Sequence, residues 1–149
     1  MILDLFRLDG KVAMVTGGGR GLGKTMAKAL AEAGADLVIV SRQFRNLKET
    51  AEEIQALGRK ALPLAADITK WEEVEKATEQ ALDHFGKIDI LVNNSGIGIE
   101  KTVLEMTPEE WDQVLDLNLK AVFLCSKSVG AHMVKRGEGK ILNISSMYA

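Results

Sequence analysis

Five short apolar runs recur along the chain, and longer stretches with helical spacing separate them. Residues 11–16 contain Val12-Ala13-Met14-Val15 with no polar alternation, and residues 36–41 contain Leu37-Val38-Ile39-Val40. Residues 88–92 are similar, residues 61–66 form a weaker run, and residues 140–145 close the series. Strands apolar on both faces belong in a parallel sheet covered by helices on each side.

The stretches between them carry helix punctuation. Residues 21–33 end at Gly34, a good residue just past a helix. Phe44, Leu47, Ala51, Ile54 and Leu57 make one stripe, which Gly58 ends. Thr69-Lys70-Trp71-Glu72 reads as a capping box, with Val74, Ala77, Ala81 and Phe85 as the buried face that follows and Gly86 as its end. Thr107-Pro108-Glu109-Glu110 is a further start, with proline where no amide hydrogen is needed. That helix is expected to run to about Arg136, before Gly137. The order β-α-β-α-β-α-β-α-β predicts an α/β fold, a doubly wound parallel sheet with right-handed crossovers. There is no linker, repeat or low-complexity tract, so residues 1–149 read as one domain.

Composition narrows the classes. The chain is 46% hydrophobic and 27% charged, which disfavours disorder. A net charge of −2 argues against a nucleic-acid binder, which would carry a basic face. One cysteine, Cys125, excludes an internal disulfide and suits a reducing compartment. The opening MILDLFRLDGK is too short and too charged for a signal peptide or a membrane span, so the expectation is a cytoplasmic protein with no membrane partner. His84 and His132 are isolated, no metal site is expected, and Lys48, Glu49, Glu52 and Glu53 read as a solvated face.

Thr16-Gly17-Gly18-Gly19-Arg20-Gly21-Leu22-Gly23 joins the first strand to the first helix. Such a turn must be tight, must let a ligand approach the backbone, and must let the helix pack on the strand. Free amides at the helix start then face an anion. In a βαβ unit this is the fingerprint of a dinucleotide-binding, Rossmann-type fold, with Gly17, Gly19, Arg20, Gly21, Leu22 and Gly23 as candidate contacts. Asp67-Ile68 follow the third strand at its carboxyl end, where ligands of such sheets bind. Asp67 alternatively caps the next helix. Asn93-Asn94-Ser95-Gly96 end the fourth strand. Asn118 falls on or beside the helix face of Trp111, Val114, Leu115, Leu119, Val122 and Phe123, and an amide there needs partners.

These motifs, with Ile144-Ser145-Ser146 after the fifth strand, resemble the short-chain dehydrogenase/reductases from about residue 8 to residue 149. One departure is small: the family commonly has alanine where Ser95 stands. The resemblance implies that Asp67 meets the adenine amine. It implies that Asn93 and Asn94 brace the sheet and line the adenosine side, with Ser95 and Gly96 beside them. It also implies that Asn118 distorts its helix and ties a water to a catalytic lysine; a satisfied core asparagine is the alternative. Ser146 matches the family's catalytic serine. The family's tyrosine and lysine, in a Tyr-x-x-x-Lys motif about a dozen residues further on, have no counterpart here. Tyr148 is the only tyrosine, and its spacing does not fit.

A carboxylate at the end of the second strand would bond both ribose hydroxyls and repel a 2′-phosphate. Ser41 and Arg42 stand there instead, and Arg20 lies in the glycine turn, which together point to NADP over NAD. Arg42 is alternatively a solvated residue at the helix entry. The resemblance implies hydride transfer between NADP(H) and a small alcohol or carbonyl, by a protein whose longer form is a homo-oligomer. The 149 residues are its cofactor-binding portion, truncated after the fifth strand and by themselves inactive. A non-catalytic nucleotide-binding module is the alternative, and a methyltransferase is disfavoured by the absence of an acid at Ser41. Ile141, Leu142 and Ile144 are expected to form an uncovered edge, and the long helix to lack a partner on its outer side.

Overall fold

The computed structural model describes residues 1–147. After a short 3-10 helix, Ile2–Phe6, whose apolar side chains are all exposed, the strands are β1 (Val12–Thr16), β2 (Asp36–Ser41), β3 (Ala61–Ala65), β4 (Ile90–Asn93) and β5 (Lys140–Asn143). The helices are α1 (Gly21–Glu32), α2 (Phe44–Ala56), α3 (Trp71–Phe85), α4 (Pro108–Leu115) and α5 (Ala121–Arg136). All pairings are parallel and the spatial order is β3-β2-β1-β4-β5. Successive strands therefore step outward from β1 in one direction and then, from β4, in the other. That reversal opens a crevice at the carboxyl ends of β1 and β4.

Alternation within each strand explains the unbroken apolar runs. Val12 and Met14 face α3 and α5, where Val74, Ala77, Leu124, Cys125 and Val129 pack. Ala13 and Val15 face the other way, onto Ala27 and Ala31 of α1 and Leu47, Ala51 and Ile54 of α2. Burial on both faces removes any need for a polar residue at alternate positions.

The expected strands and helices are all present, with ends shifted by a residue or two. Three local expectations are corrected. The capping box at Thr69 does not form, because Asp67 accepts both the amide and the hydroxyl of Thr69, the latter at 2.7 Å. Lys70 then stands at the cap of α3 without a side-chain cap, and Glu73 accepts the Asp67 amide at 2.7 Å. Glu49 and Glu53 are not merely solvated: Lys24 of α1 pairs with Glu49 at 3.0 Å and Glu53 at 2.7 Å, and Lys28 pairs with Glu53 at 2.8 Å. The long helix is not uniformly α. Residues Asp116–Lys120 form a π turn, in which the Ala121 amide donates to the Asp116 carbonyl.

The Thr107 start forms as expected. Its hydroxyl accepts the Glu110 amide, and the Glu110 carboxylate accepts the Thr107 amide. The uncovered surfaces are also as expected: Ile141, Leu142 and Ile144 of the β5 edge are exposed, as are Trp111, Leu115, Leu119 and Phe123 along one side of α4 and α5. Among the described residues, no helix is long and apolar enough to cross a membrane.

Candidate functional site

Thr16, the last residue of β1, ties the strand ends together. Its buried hydroxyl accepts the amides of Asn94 at 3.0 Å and Ser95 at 3.1 Å and donates to the Val92 carbonyl. The Asn94 amide group donates to the Thr16 carbonyl at 3.1 Å, and the Gly17 amide donates to the Val40 carbonyl at 2.7 Å. The glycine turn therefore leaves β1 with fixed partners on β2 and β4.

The glycines of the turn answer different demands. Gly17 has φ +68°, a left-handed conformation that L side chains rarely adopt. A Cβ on Gly23 would lie 2.1 Å from the Gly17 carbonyl oxygen and 2.5 Å from Asn94 Nδ2, so only glycine lets α1 pack this closely. A Cβ on Gly21 would meet nothing within 4 Å, since that position opens onto the cleft. The cleft is about 770 Å³. Gly17, Gly19, Arg20, Gly21, Leu22, Gly23, Ser41, Arg42, Asp67, Ile68, Asn94, Ser95 and Gly96 all line it. Four elements of sequence that lie far apart thus meet in one place.

Asn118 and Ser146 do not line the cleft. Asn118 is neither buried nor a core residue. Its Oδ1 accepts the Ile97 amide at 2.9 Å and its Nδ2 donates to the Ile97 carbonyl at 2.8 Å, and Ile97 lines the cleft. The π turn presents the amide for this two-point clamp. Ser146 is exposed in the segment after β5, and Tyr148 lies outside the described residues. Asn93 is buried and braces the sheet: its Nδ2 donates to Ser126 Oγ at 3.1 Å and to Asn143 Oδ1 at 2.9 Å.

Five further lining residues were not among the site residues named from the sequence: Gln43, Asn46, Ala66, Ile97, which follows Gly96, and Leu117. Ala66 precedes Asp67, and Leu117 precedes Asn118, so both were adjacent to a signal. Gln43 and Asn46 belong to the entry of α2, and only the packing of that helix on Gly19 brings them to the cleft.

Electrostatics at the rim are set by Asp67. Burial pushes its pKa up, but hydrogen bonds from Thr69 and the charges of Lys70 and Arg42 outweigh burial and hold the carboxyl below its ordinary value. An ionised Asp67 can accept a hydrogen bond from an amine. Arg20 and Arg42 are both exposed, and no carboxylate stands at Ser41. Cys125 is buried on α5 with its pKa pushed up to about 12 by burial, so it offers no nucleophile.

The geometry fits a dinucleotide. The turn presents unobstructed backbone at Gly21, and the space a Cβ on Gly23 would need is taken by the turn itself. Among the described residues, no group of three or more possible metal ligands occurs.

Comparison with known proteins gives one family. A family model described as short chain dehydrogenase matches residues 11–149. The chain is 46% identical over 148 residues to 2-dehydro-3-deoxy-D-gluconate 5-dehydrogenase of Dickeya dadantii, covering 99% of this chain and 58% of that protein. Among solved structures, a metagenomic short-chain oxidoreductase in complex with NADP superposes with a TM-score of 0.90 at 35% identity, over 94% of this chain and 64% of that one. An NAD+-bound xylitol dehydrogenase superposes with a TM-score of 0.91 at 31% identity, over 93% of this chain and 54% of that one. The chain thus spans a little over half the length of the proteins it matches.

Proposed function

The chain belongs to the short-chain dehydrogenase family, and on that premise we propose that it is the cofactor-binding portion of an NADP(H)-preferring oxidoreductase that interconverts a small alcohol and a carbonyl. The nicotinamide group supplies or accepts the hydride when bound. Gly17, Gly19, Gly21, Leu22 and Gly23 hold the pyrophosphate against the turn and the start of α1. Asp67 would accept from the adenine amine, and Asn94, Ser95 and Gly96 would line the adenosine side of the cleft. Ser146 donates a hydrogen bond to the carbonyl oxygen, and Asn118 acts as a positioning residue through Ile97.

The observation that carries the cofactor preference is the adenosine end of the cleft, where Arg20, Ser41 and Arg42 meet with no acid at the end of β2. Two guanidinium groups suit a phosphate, and a carboxylate at Ser41 would be needed to favour a free ribose hydroxyl. Fluorescence titration should show NADPH binding more tightly than NADH, and Ser41→Asp should reverse the order. Equal or tighter binding of NADH by the unaltered chain would contradict the preference.

A second proposal concerns the 149 residues alone. They hold no Tyr-x-x-x-Lys pair to move the proton, so they bind nucleotide without turning over alcohols or carbonyls. We further propose that the longer protein is a cytoplasmic homo-oligomer. The exposed apolar side of α4 and α5 supports self-association, and the absence of a membrane-crossing helix among the described residues is compatible with that location.

A further inference from the structure

Gln43 and Asn46 extend the wall of the cleft beyond Ser41 and Arg42, and they are hydrogen-bonded to each other: Asn46 Nδ2 donates to Gln43 Oε1 at 3.2 Å. Neither belongs to the glycine turn or to the strand end. Asn46 is held through its backbone and its Cβ. A Cβ on Gly19 would come within 3.1 Å of Asn46 Cβ, so the bare Gly19 backbone is what admits Asn46 here. The fully buried Thr50 donates its hydroxyl to the Asn46 carbonyl at 3.1 Å and approaches the Gly19 carbonyl at 3.4 Å. One turn further on, Lys24 of α1 pairs with both Glu49 and Glu53 and fixes α2 against α1. The backbone of Asn46 is therefore tied to the turn that carries Arg20.

We infer that Asn46 is a specificity-determining residue, whose side-chain amide donates a hydrogen bond to a 2′-phosphate on the adenosine ribose between Arg20 and Arg42. An amide has two hydrogens on its nitrogen, and Gln43 takes one. The second is available to an anion, and a donor fixed in place by its backbone loses little freedom when it binds. The short, half-buried side chain of Asn46 suits this better than the longer, exposed Gln43. An aspartate at the same place would present a negative charge to the phosphate and repel it. This inference rests on the NADP reading above and names a contact that the glycine turn and the end of β2 do not supply.

The test uses the adenosine halves of the two cofactors, 2′,5′-ADP and 5′-AMP, titrated by calorimetry into the chain and into Asn46→Ala, Asn46→Asp and Arg42→Ala. Asn46→Ala should weaken 2′,5′-ADP about tenfold, the loss of one hydrogen bond to a charged group. Asn46→Asp should weaken it about a hundredfold. Binding of 5′-AMP should stay within about twofold in both, which also shows that the variants are folded. If Arg42→Ala loses 2′,5′-ADP while both Asn46 variants keep it, the inference about Asn46 is overturned and the NADP reading stands. If the unaltered chain binds both probes equally, the NADP reading falls, and this inference with it.

Discussion

Gly21 and Gly23 stand two residues apart in one turn, and a methyl group on each would meet different surroundings. On Gly23 it would lie 2.1 Å from the Gly17 carbonyl oxygen, an overlap that only a shift of α1 could relieve. On Gly21 it would face open space, at the cost of placing an L residue at φ +53°. Gly23→Ala should lower stability by about 2–3 kcal/mol in urea denaturation, the cost of forcing extra volume into a packed place. Gly21→Ala should cost about 1 kcal/mol and yet weaken NADPH more than its loss of stability accounts for. Equal stability losses in the two variants would mean that the turn packs differently. Both glycines were visible in the sequence spacing, but their division of labour was not. The pattern Gly-x-Gly says that side chains are unwelcome, whereas only the geometry says what each would strike. Asn46 lies beyond the same boundary, because no spacing rule links it to Gly19.

Elements were legible where one dominant force shapes them. β1, β2 and β4 are apolar on both faces because helices cover both sides of the sheet there, and that leaves an unbroken run to read. Helix starts were less certain, since the same pattern served at Thr107 and failed at Thr69. At Thr107 nothing competes for the hydroxyl, whereas at Thr69 the carboxylate of Asp67, two residues earlier, captures it. The π turn was legible only through the family resemblance, as a distortion expected at Asn118. Its physical consequence is specific: both ends of the Asn118 amide bond the backbone of Ile97, and so tie the loop after β4 to the helix. Asn118→Leu would leave both Ile97 groups without their side-chain partner. That change should cost about 1–2 kcal/mol, speed hydrogen exchange at the Ile97 amide, and weaken NADPH because Ile97 lines the cleft. Unchanged exchange at Ile97 would show that the clamp holds nothing. The same stretch of helix turns Trp111, Leu115, Leu119 and Phe123 outward, an apolar stripe that α4 and α5 leave uncovered.

Across the whole molecule, the cleft and a second polar cluster lie at opposite ends of the sheet. The cleft sits at the carboxyl ends of the strands, whereas Asp89 sits before β4 at the amino ends. Only 5% exposed, Asp89 accepts the Val12 amide at 2.8 Å and an Arg136 guanidinium nitrogen at 2.9 Å, with Lys87 at 3.3 Å. Arg136 also reaches the Ile88 carbonyl and Glu138, so the end of α5 is fastened beneath β1 and β4. Arg136 and Val12 are 47 and 77 residues away from Asp89 in sequence, and no local pattern could have shown them. Burial pushes the Asp89 pKa up, but the Val12 amide, Arg136 and Lys87 outweigh it and hold the carboxyl below its ordinary 3.8. The unfolded chain therefore takes up the proton first as pH falls. The stabilisation is complete above the ordinary value and is lost as pH drops through the lower folded value. Asp89→Asn should cost about 2 kcal/mol at neutral pH and should lose less stability than the unaltered chain on acidification below about pH 5. Other lowered carboxylates, such as Asp67, remain in both proteins, so the difference between the two curves isolates Asp89. NADPH affinity should not change, because the cluster is remote from the cleft. Parallel stability curves would remove Asp89 as a source of acid sensitivity, and a lost affinity would mean that the foot of the sheet and the cleft are coupled.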